Sequence, residues 1–259
     1  MLLIYLIIAL LATTVGALTG MGGGVMIKPL LDVLGQFPAA TINLLSSLTV
    51  LSMSVVSVGR HVKAKTPVNY KIAVLLAAGS VAGGLLGDAL ISTVIEQTGT
   101  GNEVTLIQNS ILAFLIVIVF FYIKFKSKLP TLGVKGTSPA VFVGLFLGCI
   151  SSFLGIGGGP INVAVLAFVF SMNTKDAAIC SLVIILFSQF ANFIAGLVSG
   201  VYWKHDLSIL PVMIIGAIGG GFLGAYLQRK FTEKQVEKMF NGVQLIVLAM
   251  CFYNIIRNG

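Results

Sequence analysis

Apolar residues fill most of this chain in ten runs, and the polar residues punctuate them. The runs span about Leu2–Leu18, Val25–Leu34, Ala39–Val58, Ile72–Ile95 and Val104–Ile123, then Pro139–Leu154, Pro160–Phe170, Ala177–Ser199, Leu207–Leu227 and Val236–Ile256. They are too long and too continuously apolar for barrel strands, which alternate residue by residue. Crossing a hydrocarbon core takes about 20 helical residues. Most runs meet or approach that length, and the second and seventh fall far short of it. The pattern predicts an all-α polytopic membrane protein.

The order of short and long runs repeats. Gly20-Met21-Gly22-Gly23-Gly24 ends the first run, and Gly155-Ile156-Gly157-Gly158-Gly159 ends the sixth. A second marker agrees: Gly79, Gly83 and Gly87 recur at one constant offset as Gly216, Gly220 and Gly224. Small residues every four positions let membrane helices pack backbone to backbone. The chain therefore divides into a first repeat over 1–125, a basic linker over 126–138 and a second repeat over 139–259.

Charge sets the expected orientation. Short loops rich in Lys and Arg stay cytoplasmic. Arg60, Lys63 and Lys65 place the loop at 60–71 inside, and Lys124, Lys126 and Lys128 do the same for the linker. Arg229, Lys230, Lys234 and Lys238 place 228–238 inside, although its counterpart at 96–103 has no Lys or Arg and reads as outside. The two five-segment repeats are thus expected to be inverted, with both termini outside a plasma or bacterial inner membrane. An outside start and an inside loop at 60 require an odd number of crossings. A re-entrant hairpin made by the first two runs satisfies this, as do three full crossings; the shortness of the second run favours the hairpin.

Composition agrees with a bilayer rather than a soluble fold: 57% of residues are hydrophobic and 9% charged, with mean hydropathy +1.05. The net charge of +8 sits between apolar runs, where it sets topology and meets anionic lipid rather than nucleic acid. Cys149, Cys180 and Cys251 lie inside apolar runs without metal-ligand spacing, so no metal or other cofactor is expected. No phosphate-binding GxxxxGK[ST] loop occurs, which argues against ATP drive within the chain. An intramembrane enzyme would show His, Asp, Glu or Cys clustered within the runs. None is evident, so the expected protein is not an enzyme.

Candidate chemistry lies near the glycine breaks. Free amides at a glycine turn beside a helix N-terminus suit an anion, which makes Gly22, Gly23, Gly24, Gly157, Gly158 and Gly159 candidate binding residues. The same glycines would also serve a tight turn and close packing. Asn162 follows the second turn. The third run places Asn43, Ser47 and Ser54 near one helical face, and the eighth places Ser181, Ser188 and Asn192 similarly, with Gln189 beside them. Such faces line a polar path or bond neighbouring helices. Lys28 and Asp88 are ionisable groups inside apolar runs and so candidates for a fixed cation and a proton-coupling carboxylate.

The doubled glycine motif, with Pro29 after the first copy, resembles the sulfite exporter TauE/SafE family of membrane permeases, and the resemblance covers nearly the whole chain. The second copy departs from the first: Pro160 stands where the first has Val25, and Ala164 where the first has Pro29. The resemblance implies transport of a small sulfur-containing anion, sulfite or a sulfonate, with export the usual direction. An anion channel, an uptake permease for another organic anion and a non-transporting scaffold are the alternatives.

Overall fold

The computed structural model describes residues 2–66, 69–98, 101–126, 128–156 and 158–258. Among them are ten α-helices and a short 3-10 turn at Val201–Lys204. The helices are α1 (Leu2–Thr19), α2 (Gly24–Leu34), α3 (Ala39–Lys63), α4 (Tyr70–Thr98), α5 (Gly101–Phe125), α6 (Thr137–Phe153), α7 (Pro160–Phe170), α8 (Thr174–Ser199), α9 (Leu210–Lys230) and α10 (Glu233–Asn258). Seven are long and apolar enough to cross a membrane. The other three, α2, α6 and α7, have 11, 17 and 11 residues.

Each apolar run becomes one helix, but several helices outrun their apolar stretch. Hydropathy falls at the edge of the hydrocarbon, whereas a helix continues while its ends are satisfied. Helix α3 extends to Lys63 with Arg60 and Lys63 in its last turn, where cations complement the helix dipole. Helix α8 begins at Thr174 because the Asn173 side chain accepts a hydrogen bond from the Asp176 amide, an N-cap. Helix α9 begins later than its apolar run. Asp206 accepts from the Ser208 amide at 2.9 Å, which holds the preceding residues in a turn.

The two glycine ladders are packing surfaces. A Cβ on Gly79, Gly83 or Gly87 would lie 2.0, 1.9 or 2.2 Å from the carbonyl oxygens of Val141, Leu145 and Cys149, so α4 lies backbone to backbone on α6. On α9, a Cβ at Gly220 would lie 2.0 Å from Thr13 Oγ1 and one at Gly224 2.4 Å from the Thr14 carbonyl oxygen, both on α1. Without water to expel, such close approach is what drives helices together in lipid. The packing is reciprocal: α1 on α9 and α6 on α4, α3 on α9 and α8 on α4. Helices α3 and α8 meet each other, as do α5 and α10.

Contacts also group the helix ends. At one end Tyr5 donates to Gln36, Arg257 Nη1 donates to the Val33 carbonyl at 2.6 Å, and Thr41 bonds His205 at 3.0 Å. At the other, Lys126 bonds Thr174 at 2.8 Å and Glu233 at 3.2 Å, and Lys175 donates to the Phe231 carbonyl at 2.8 Å. The residues after α2 thus lie against Tyr5 of α1. The end of α7 lies against the segment before α6, where the Leu132 and Val134 amides donate to the Phe168 and Val169 carbonyls at 2.9 Å. Large apolar side chains such as Phe142, Phe190, Val198 and Ile256 point outward. In a multi-pass membrane protein that surface meets lipid.

Candidate functional site

Two glycine breaks meet in the middle of the bundle. Gly20, Gly22, Gly155 and Gly158 all have positive φ, from +64° to +122°, so the breaks use backbone that other residues rarely adopt. A Cβ on Gly24 would fall 2.0 Å from the carbonyl oxygen of Ile156, so the first break lies directly on the second. Gly23 is pressed against Thr13 and Gly16 against Gly23. Gly158 packs against Ile185, and Gly159 against Ile156. Gly157 lies outside the described residues.

The two helix starts beyond the breaks differ. Gly23 caps α2 without a side-chain bond, and its carbonyl accepts from Met26 and Ile27. Pro160 occupies the first turn of α7, a favoured position that nevertheless lacks an N–H. The second break therefore offers one amide fewer.

Beside the breaks is a polar cavity of about 50 Å³, lined by Asn43, Leu44, Ser47, Asp88, Ile91, Ser151, Ser152, Gly155, Gln189 and Asn192. It has room for a few water-sized groups. Five stretches contribute: α3, α4, the end of α6, the second break and α8. Ser47 donates to Gln189 Oε1, and Asn192 Nδ2 donates to Ser152 Oγ at 2.6 Å. Ser151 Oγ and Asn192 Oδ1 have no hydrogen-bond partner among the described residues.

Of the residues singled out from sequence, Asn43, Ser47, Gln189 and Asn192 come together around this cavity. The described glycines Gly22, Gly23, Gly24, Gly158 and Gly159 do not line it. Nor does Ser181, which donates to the Gly20 carbonyl at 2.7 Å and ties α8 to the first break. Asn162 is fully buried in α7, and neither its Oδ1 nor its Nδ2 has a partner among the described residues. Sequence reasoning missed Ser151 and Ser152. Their signal was a pair of hydroxyls just before the second break, at the end of an otherwise apolar run. Behind Asn43, buried Lys28 donates to both Asn43 Oδ1 and Gln108 Oε1.

A bundle of ten helices, seven of them long and apolar enough to cross a membrane, with a small cavity beside two touching chain breaks, defines a multi-pass membrane protein. The chain belongs to the sulfite exporter TauE/SafE family, which matches residues 5–251, and so to a family of membrane transporters. It is similar to the Probable membrane transporter protein YunE of Bacillus subtilis, at 26% identity across 96% of this chain and 97% of that one. It is also similar to the Probable membrane transporter protein YjnA of the same organism, at 24% identity across 92% and 96%. The Probable membrane transporter protein MJ0441 of Methanocaldococcus jannaschii is 22% identical across 92% and 90%. No solved structure matches the chain.

Proposed function

We propose that the protein is a secondary transporter that exports a small sulfur-containing anion, sulfite or a sulfonate, by alternating access. The observation that carries this reading is the cavity where amides and hydroxyls stand beside Leu44, Ile91 and the Asp88 carboxylate, with the Lys28 ammonium directly behind Asn43. Amide N–H and hydroxyl groups can replace the water around an oxyanion, and a nearby cation makes the exchange favourable. Gly22–Gly24, Gly158 and Gly159 then act chiefly as the turns that bring the cavity walls together, with Asn162 and Ser181 supporting them. Asp88, in the cavity wall, is the carboxylate placed to couple a proton.

The contacts support two inverted halves. The reciprocal helix pairing is what a two-fold relation between the repeats would produce, and the residues after α2 lie against α1 as the end of α7 lies against the segment before α6. On this reading α1–α2 and α6–α7 are re-entrant hairpins entering from opposite faces, a common transporter plan with the site where the repeats meet. The end that gathers Lys126, Lys175 and Phe231 is cytoplasmic, and the termini are outside. Between the cavity and the cytoplasmic end, Ala17, Val50, Met53, Leu182, Ile185 and Ala217 form a buried apolar cluster. It serves as the closed gate. The inside-negative potential then favours anion exit by about 2.3 kcal/mol per charge per 100 mV.

Thermal unfolding of the purified protein with sulfite, sulfate, thiosulfate, sulfoacetate, taurine and acetate tests the substrate class. A ligand that binds only the folded state raises its apparent stability. A selective rise with one sulfur oxyanion, lost in Asn192→Leu, supports the reading. Equal behaviour of all six, with an intact fold, rejects it.

A further inference from the structure

Among the described residues, Lys28 is a buried cation bonded to the cavity wall, which also carries the more exposed Asp88 carboxylate. Lys28 lies in α2 and is 2% exposed. No ion pair to it is formed among the described residues. Asp32, one turn further along α2, instead accepts from Asn109 Nδ2 at 3.2 Å. The ammonium is held by two neutral oxygens, those of Asn43 and Gln108. Asp32 lies close enough to offset part of this charge without bonding it, and burying an ammonium is otherwise costly.

The chemistry of that contact fixes which way Asn43 points. An ammonium donates and cannot accept, so Asn43 must turn Oδ1 toward Lys28 and Nδ2 away from it. Gln108 is fixed the same way, because its Nε2 donates to the Phe153 carbonyl at 2.7 Å. Asn43 Nδ2 has no partner among the described residues, and Asn43 lines the cavity. The cavity thus receives a free N–H donor whose amide is polarised from behind by the Lys28 ammonium.

We infer that Lys28 sets the charge selectivity of the cavity by acting through Asn43, favouring dianions over monoanions. Lys28 does not touch the solute; it is a positioning residue that orients one donor and supplies the counter-charge. This rests on the anion-transport reading above. Charge on the solute is the discriminating variable, because the attraction of a fixed cation scales with that charge, whereas loss of packing would weaken all ligands alike.

The test is calorimetric titration of the purified full chain with sulfoacetate, a dianion, and methanesulfonate, a monoanion. Wild type is expected to bind sulfoacetate more tightly. Lys28→Met is expected to weaken sulfoacetate on the order of tenfold or more, and methanesulfonate clearly less. Lys28→Arg, which keeps the charge, is expected to retain the preference. Asn43→Asp keeps an oxygen for Lys28 but replaces the free donor with an acceptor, and it is expected to bind sulfoacetate as poorly as Lys28→Met. If Lys28→Met weakens both probes equally or neither, or if Asn43→Asp binds like wild type, the inference fails while the transport reading stands. Wild type that binds neither probe overturns both. Should Lys28→Met not fold, Lys28→Arg and Asn43→Asp still decide: loss of the preference in the first, or its survival in the second, overturns the inference.

Discussion

The carboxamide oxygen of Asn43 lies 2.3 Å from where a Cβ on Gly155 would sit. A residue of the first half therefore occupies space that only a glycine of the second half leaves open. The same glycine has φ +64°, so its position is constrained twice, by backbone and by neighbour.

Gly155→Ala is expected to push Asn43 off its bond to Lys28 and to force a left-handed alanine. The backbone part alone costs about 1–2 kcal/mol. Thermal unfolding should show that loss, and calorimetry should show anion affinity falling in parallel. Gly200→Ala is the control. Its φ is +68° but its nearest neighbour would be 3.8 Å away, so it should lower stability without touching affinity.

Gly83 and Gly59 make opposite predictions. Valine at Gly83 drives a side chain into the Leu145 carbonyl, 1.9 Å from the Cβ position, and should cost at least about 1–3 kcal/mol or the folded state itself. Nothing lies within 4 Å of a Cβ on Gly59, in the interior of α3. There alanine should stabilise the helix by about 0.5–1 kcal/mol. Melting temperature in one detergent compares the two.

Ser47 and Gln189 join α3 to α8 across the cavity by one hydrogen bond. Ser47→Ala and Gln189→Ala should therefore weaken anion binding non-additively. A double-mutant cycle on the dissociation constant should give a coupling of about 0.5–3 kcal/mol. Strict additivity would mean that the two side chains act independently.

At the opposite end, Lys126 bonds Glu237 and Glu233. Burial alone would lower its pKa, but the two carboxylates outweigh that and raise it above 10.5. A raised pKa stabilises the fold below the unfolded value and ceases to do so as pH climbs through the folded one. Lys126→Gln should therefore cost up to ~1 kcal/mol at neutral pH, a small effect because solvent screens the pair. The gap from wild type should close as pH rises beyond about 10.5. Paired unfolding curves across that range check it.

Periodicity exposed much of this molecule. Ten apolar runs became ten helices, and the spacing of Gly79, Gly83 and Gly87 announced a close helix contact, though not that its partner is α6, because small residues in apolar helices have few other uses. Asn43, Ser47, Gln189 and Asn192 were legible because amides and hydroxyls stand out in apolar helices. Ser151, Ser152 and the reach of Lys28 were not. Their place depends on how α6 docks on α4 and α2 on its neighbours, and no local pattern encodes that. The glycine breaks were ambiguous for another reason: the residue that frees an amide for a solute is also the one that lets a neighbouring backbone come close. At Gly24 the neighbour is the Ile156 carbonyl.

Transport itself is the most direct test. Wild-type protein in liposomes preloaded with unlabelled sulfoacetate or sulfite should accumulate the same labelled anion by counterflow, and Asn192→Leu should abolish this with the fold intact. Accumulation that saturates and responds only to sulfur oxyanions is the predicted result. No counterflow with any of these anions, from protein shown to be folded and inserted, would contradict the account.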